Sequence, residues 1–121
     1  MTKYQGSCHC QAVIFEVESD FKKTVRCDCS LCKRKGTVIN LIETEEFRLL
    51  KGEENVTLYE WNTKIAKHYF CKICGIYTHH KRRSADAMGV NVGCFDHLTL
   101  DNLEQIGKVQ GSSLTLVKEK Q

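Results

Sequence analysis

Val13, Phe15 and Val17 alternate with Ile14, Glu16 and Glu18, a period of two that predicts a strand with one buried face. Val25 leads into a cysteine-bearing loop, after which Lys33 to Lys35 run to Gly36 as one predicted helical turn. Thr37 to Ile42 is rich in β-branched residues and reads as a strand, and Phe47 to Leu50 as a shorter one before the polar turn Lys51-Gly52-Glu53-Glu54-Asn55. Val56 to Trp61 and Ile65 to Phe70 flank Asn62-Thr63-Lys64 and predict a hairpin whose second strand delivers Cys71. Ile76 to His80 and Met88 to Cys94 are further predicted strands. Leu100 to Ile106 reads as a short helix capped by Thr99, with Asp101 and Glu104 in its first turns. Lys118 to Gln121 reads as a frayed tail. Many short strands with turns between them predict a mainly β, antiparallel fold with short helical turns.

Composition narrows the class. A chain of 121 residues is expected to form one domain, here over 1–121. With 41% hydrophobic and 27% charged residues it reads as a globular protein, which excludes collagen, disorder and a coiled coil. No apolar run approaches the roughly 20 residues that span a bilayer, so no membrane partner is expected. Met1 to Cys10 lacks the apolar core of a secretory signal, and with clustered thiols this predicts a cytoplasmic protein. Proline is absent, so glycine, asparagine, aspartate and the cysteine loops must supply the corners.

The eight cysteines change the picture most. Cys8 and Cys10 form C-x-C, Cys27, Cys29 and Cys32 form C-x-C-x-x-C, Cys71 and Cys74 form C-x-x-C, and Cys94 stands alone. Neighbours so close rarely bridge each other, because a disulfide needs particular Cα and Cβ separations. Ligands two or three residues apart instead converge on one cation, and thiolate-rich tetrahedral sites select zinc or iron–sulfur clusters. No ferredoxin-like run is present, and the C-x-x-C-G turn ending at Gly75 reads as a zinc knuckle, so zinc is the expected metal. Two short pairs make one closed four-sulfur site from Cys8, Cys10, Cys71 and Cys74. Cys27, Cys29 and Cys32 then hold a second zinc. Either its fourth position is open, the arrangement of a catalytic zinc, or Cys94 closes it and both sites are structural.

Gly6-Ser7-Cys8-His9-Cys10 followed by Ala12, then Cys27-Asp28-Cys29-Ser30-Leu31-Cys32, Tyr59-Glu60-Trp61-Asn62-Thr63, and Ala66-Lys67-His68-Tyr69-Phe70-Cys71-Lys72-Ile73-Cys74-Gly75 occur in order, with Val90-Asn91-Val92-Gly93-Cys94 after them. Over roughly residues 4 to 97 this resembles the glutathione-dependent formaldehyde-activating enzyme family, which includes centromere protein V. The resemblance implies a β-tent zinc fold, the same division of cysteines between two zincs, and condensation of formaldehyde with glutathione, classed with the carbon–sulfur lyases. Asp28 departs from the pattern, since histidine is more usual between the first two cysteines of the triplet.

Adding a thiol to an aldehyde needs a thiolate and a carbonyl that accepts charge, and a zinc with an open position serves either need. The resemblance makes glutathione, or a related thiol, the expected substrate thiol, with formaldehyde or another small aldehyde as its partner. His68, His79 and His80 are candidate proton carriers, His68 foremost because its strand leads to the knuckle, although packing or surface is the default role of each. His9 is expected to face solvent, and Trp61 and Tyr59 to pack in the core rather than wall a pocket. The basic runs Lys33-Arg34-Lys35 and Lys81-Arg82-Arg83 are expected to be solvated, with glutathione carboxylates as their functional alternative. A non-catalytic zinc module for a protein or nucleic-acid partner is the competing reading. The formal charge of +3 gives nucleic acid little support, because seven ligand thiolates and two zinc ions would bring it to zero.

Overall fold

A computed structural model describes residues 2–61, 64–82 and 87–98, with 107–109 as backbone. The predicted helix from Leu100 with its Thr99 cap, the tail from Lys118, Arg83 and the turn residues Asn62 and Thr63 lie outside the described residues. The mainly β, antiparallel architecture is as expected. In chain order the elements are β1 (Lys3–Ser7), β2 (Ile14–Glu18), β3 (Thr24–Cys27), α1 (Ser30–Lys35), β4 (Ile39–Glu43), β5 (Phe47–Lys51), β6 (Val56–Tyr59), β7 (Lys67–Cys71), β8 (Tyr77–Lys81), β9 (Ala87–Asn91) and β10 (Gly107–Val109). Three strands form one sheet in the order β1-β2-β5, and seven form a second in the order β10-β3-β4-β9-β8-β7-β6. One pairing breaks the antiparallel rule: β10 runs parallel to β3, with Val109 opposite Cys27.

The core lies where the two sheets face each other. Phe15 and Val17 point inward from β2, Ile42 from β4, and Met88 and Val90 from β9, joined by Phe21, Cys94 and Phe95. Because side chains alternate along a strand, the residues between these point to the opposite face of the larger sheet. Leu41, Gly89, His80, His68 and Tyr59 are cross-strand neighbours on that outer face, spanning β4, β9, β8, β7 and β6. Gly89 is buried beneath this row, and a Cβ there would stand 2.3 Å from His80 Cε1 and 2.6 Å from Ile39 Cγ2. The missing side chain on β9 is therefore the space that the His80 ring occupies.

Three sequence expectations shift. β1 was not anticipated, because Lys3-Tyr4-Gln5-Gly6-Ser7 has a polar composition and reads as a strand only through its pairing with β2. The β6–β7 hairpin is real, but its paired strands stop at Tyr59 and His68, so the connection is longer than Asn62-Thr63-Lys64. The predicted strand from Met88 to Cys94 ends at Asn91, whose side-chain oxygen accepts the Gly93 N–H at 2.9 Å and starts a 3-10 turn. Among the described residues no helix is long and apolar enough to cross a membrane.

Candidate metal centres and their surroundings

The first cluster is built from two hairpin ends, one in each sheet. Between β1 and β2 the Cys8 N–H donates to the Val13 carbonyl at 3.1 Å, and Gln11, in the left-handed region at φ 64°, turns the chain. The Val13 N–H then donates to Cys8 Sγ at 3.3 Å. Between β7 and β8, Gly75 at φ 78° folds its N–H back to the Cys71 carbonyl at 2.8 Å, and the Ile73 N–H donates to Cys71 Sγ at 3.4 Å. Such amide–sulfur bonds favour thiolates over thiols.

Together these turns bring the Sγ atoms of Cys8, Cys10, Cys71 and Cys74 within 4.8 Å of one another. Cys8 and Cys10 are 3.6 Å apart and Cys10 and Cys71 3.8 Å. Four thiolates about 2.3 Å from one tetrahedral zinc would stand about 3.8 Å apart, so the spacing fits that ion. At Cys74, burial raises the thiol, but hydrogen bonds from the Cys10 and Ile76 backbones and the Cys10 and Cys71 thiols outweigh it and bring it to about 6.

The second cluster grows out of a helix start. Cys29 sits in extended geometry at the N-cap of α1, and its Sγ accepts the Cys32 N–H at 3.4 Å. Gly36 ends the helix in the left-handed region at φ 64°, its N–H returning to the Cys32 carbonyl at 3.1 Å. One turn of helix thus folds Cys32 back over Cys29, and Cys27 arrives from the end of β3. The three Sγ atoms lie within 4.8 Å of one another, and the donor set suits a thiophilic cation. Cys27 and Cys32 hydrogen bonds hold the Cys29 thiol far below its usual range, while Cys32, in the opposite role toward Cys27 and Cys29, is held far above. Cys29, Cys32 and Ile39 pack together, covered by Val25, Leu31, Leu41 and Trp61.

Beside this triplet lies a cluster of ionisable side chains. Lys35 leaves the last turn of α1 and donates from Nζ to His68 Nδ1 at 3.0 Å. The same Nζ stands 3.6 Å from the centroid of the Tyr77 ring. The Tyr77 hydroxyl is hydrogen-bonded to His80 Nδ1. The His68 and His80 rings stack at 5.3 Å. Burial raises the Tyr77 phenol well above its usual range, helped by the negative charge that Cys32, Cys94, Cys27 and Cys29 would carry if ionised. Burial, followed by the charge of Lys35, drops the His80 imidazole well below its usual range. Burial also lowers Lys35, against the opposing pull of the Cys32, Cys29 and Cys27 thiolates.

The predicted site residues separate accordingly. The division of seven cysteines into a quartet and a triplet is the one read from spacing. Cys94 joins neither group among the described residues: its thiol donates to the Tyr77 carbonyl at 3.7 Å, within the cluster of Phe15, Phe21 and Phe95. Burial first, then the charges of Cys8, Cys74 and Asp96, pushes Cys94 up to about 12. Asp28 is half-buried between two members of the triplet, and His9 is exposed as expected. His68, His79 and His80 are all buried, so the surface role is out. His79 belongs to the other face, stacked on Tyr69 at 4.7 Å and beside Phe47 at 4.4 Å. Trp61 packs on the triplet, whereas Tyr59 is 48% exposed and not in the core, because β6 is the sheet edge.

Two residues escaped the sequence reading. Lys35 was grouped with solvated Lys33 and Arg34, yet it turns inward; its place three residues after Cys32, on the same side of a helical turn, is the signal that marks it. Tyr77 carried no such signal, because its partners arrive from α1 and from later in β8.

A profile of the glutathione-dependent formaldehyde-activating enzyme family matches residues 3–109. A Halomonas elongata protein, named provisionally a glutathione-dependent formaldehyde-activating enzyme, is 33% identical over 79 residues, which are 58% of this chain and 50% of that protein. The chain thus spans about half the length of this curated relative. The crystal structure of a Rhodobacter sphaeroides protein superposes with a TM-score of 0.82 at 42% identity, covering 87% of this chain and 99% of that one. On the extent of the profile match and the fold it shares, this chain belongs to the glutathione-dependent formaldehyde-activating enzyme family.

Proposed function

We propose that the protein is a zinc-dependent enzyme of carbon–sulfur bond chemistry that joins glutathione, or a related thiol, to formaldehyde or another small aldehyde and reverses that step. The observation that carries this reading is the triplet Cys27, Cys29 and Cys32 with Cys94 placed elsewhere, next to half-buried Lys35 and buried Tyr77, His68 and His80. Two zinc ions are assigned, a structural one to Cys8, Cys10, Cys71 and Cys74 and a second to the triplet. Zinc with an open position supplies Lewis acidity and lowers the pKa of an incoming thiol.

The reaction forms one S–C bond between the thiol sulfur and the carbonyl carbon. The carbonyl π pair moves to oxygen, and the thiol proton ends on that oxygen, so the product is an S-hydroxyalkyl thiol. The chain's own part is to hold that proton and exclude water. His68 is the assigned proton carrier, oriented by the bond from Lys35 to its Nδ1. Tyr77 and His80 form a second, uncharged hydrogen-bonded pair at the same place, and Trp61 and Ile39 shield the sulfurs. Thiols clustered as metal ligands suit a reducing compartment, and the cytoplasm is the assigned location.

Exchange spectroscopy on glutathione and carbon-13 formaldehyde tests the reading, since the uncatalysed adduct equilibrium gives a built-in baseline. The zinc-loaded protein is expected to speed exchange between free and adduct glutathione. Exchange no faster than in buffer, with both zinc ions present, would sink the enzyme reading in favour of a non-catalytic zinc module.

A further inference from the structure

A lysine on a helix surface ordinarily lays its stem along apolar groups and keeps the ammonium in water. Lys35 does the reverse. Its Nζ is fixed at two points, 3.0 Å from His68 Nδ1 and 3.6 Å over the Tyr77 ring centroid. An ammonium has donors only, so His68 Nδ1 must accept, which leaves that ring without a proton at Nδ1. Tyr77 presents a neutral ring face. Neither partner compensates the charge of Lys35, and among the described residues no carboxylate is paired with it. The negative charge within its reach is that of Cys32, Cys29 and Cys27, in that order, which as metal ligands would all be thiolates.

Three thiolates around a divalent cation leave one net negative charge, which repels any further anion and favours a neutral fourth ligand. An ammonium beside the cluster cancels that charge.

We propose that Lys35 makes the Cys27, Cys29 and Cys32 site selective for an incoming anionic ligand of the thiolate type over neutral ligands. The proposal rests on reading the triplet as a metal site with an open position. Lys35 thereby acts as a specificity-determining residue, with His68 and Tyr77 as the cradle that points its charge inward. It predicts that the sulfur anion itself, rather than the carboxylates of glutathione, is what Lys35 recognises.

Four probes separate these possibilities on nitrogen-15-labelled, zinc-loaded protein, with the amides of Cys27 to Lys35 followed by NMR. They are glutathione, 2-mercaptoethanol (a thiol without carboxylates), S-methylglutathione (carboxylates without a thiol) and imidazole (a neutral metal ligand). In Lys35→Gln, glutathione and 2-mercaptoethanol are both expected to bind about 10- to 100-fold more weakly, while imidazole changes by less than about twofold. Lys35→Arg keeps the charge and is expected to restore thiol binding to within about threefold of the parent. Equal weakening of imidazole and the thiols, or an Arg variant as weak as the Gln variant, overturns the proposal. Loss confined to glutathione and S-methylglutathione also overturns it, by making Lys35 a carboxylate clamp. Zinc content is measured in each variant, and the Arg variant keeps the test decisive where Lys35→Gln loses its metal.

Thiol binding that Lys35→Gln leaves intact overturns this proposal alone. Charge-selective thiol binding without accelerated formaldehyde exchange supports it while removing the enzyme reading.

Discussion

Gly89→Ala adds one methyl group at the point where the outer-face row is tightest. That Cβ would meet His80 Cε1 at 2.3 Å and Ile39 Cγ2 at 2.6 Å, whereas ordinary contact begins at 3.4 Å. The His80 ring edge must therefore retreat by about 1.1 Å and Ile39 by about 0.8 Å. Neither has an easy path: β9 is held between β4 and β8, Ile39 packs on Cys29 and Cys32, and His80 is tied to Tyr77. Overpacking of this kind costs about 1–3 kcal/mol. With an m-value of about 1–3 kcal/mol per molar in urea, the unfolding midpoint should fall by about 1 M.

The single tryptophan is well placed as the reporter, because Trp61 covers the same Cys29, Cys32 and Ile39 cluster. Its emission should shift in the folded variant as well as on unfolding. Gly36→Ala is the control, since that site has nothing within 4 Å and differs only in its φ of 64°. It should cost about 1 kcal/mol from backbone strain and leave the folded-state emission alone. A Gly89→Ala protein with the parent's midpoint and emission would refute the account of why this row is packed as it is.

Burial lowers His79 from 6.5 to about 4, so the unfolded chain binds a proton that the fold refuses. Stability should therefore decrease as pH falls from 6.5 to 4, by about 3 kcal/mol from this residue. Urea midpoints across that range check it, and His79→Phe should flatten the slope; an unchanged slope would count against the assignment. Metal analysis distinguishes the cysteines: Cys71→Ser should lose one zinc and several kcal/mol of stability, whereas Cys94→Ala should keep both ions. Loss of the second zinc in Cys94→Ala would mean that Cys94 closes the triplet site after all.

What the sequence disclosed was whatever depends on near neighbours. Alternation at Val13 to Glu18 marked β2, the C-x-x-C-G turn marked the knuckle at Gly75, and Gly36 marked the end of α1. The division of seven cysteines into quartet and triplet was legible because spacing alone limits which sulfurs converge. The neighbours of the triplet were not. Lys35 meets His68 across 33 positions, and Cys94 meets Tyr77 across 17, so local pattern carries no trace of either. Strand β1 was hidden for a related reason: its polar residues pair through their backbone, which every sequence supplies equally. Tyr59 went the other way, because an aromatic on a strand looks like core until the strand proves to be an edge.

The two cysteine clusters also differ in how early each can exist. Cys27, Cys29 and Cys32 sit within one stretch of six residues, so an extended, newly made chain already presents all three sulfurs. The quartet cannot assemble until the chain has reached Cys71, 61 positions after Cys10, and both sheets have begun to form. Closing that larger loop costs about 2 kcal/mol more in chain entropy. Metal should accordingly enter the triplet first and the quartet last, with the quartet locking the two sheets together as a final step. On unfolding the order should reverse, so that zinc held as proposed by the quartet would be released while the triplet still held its own.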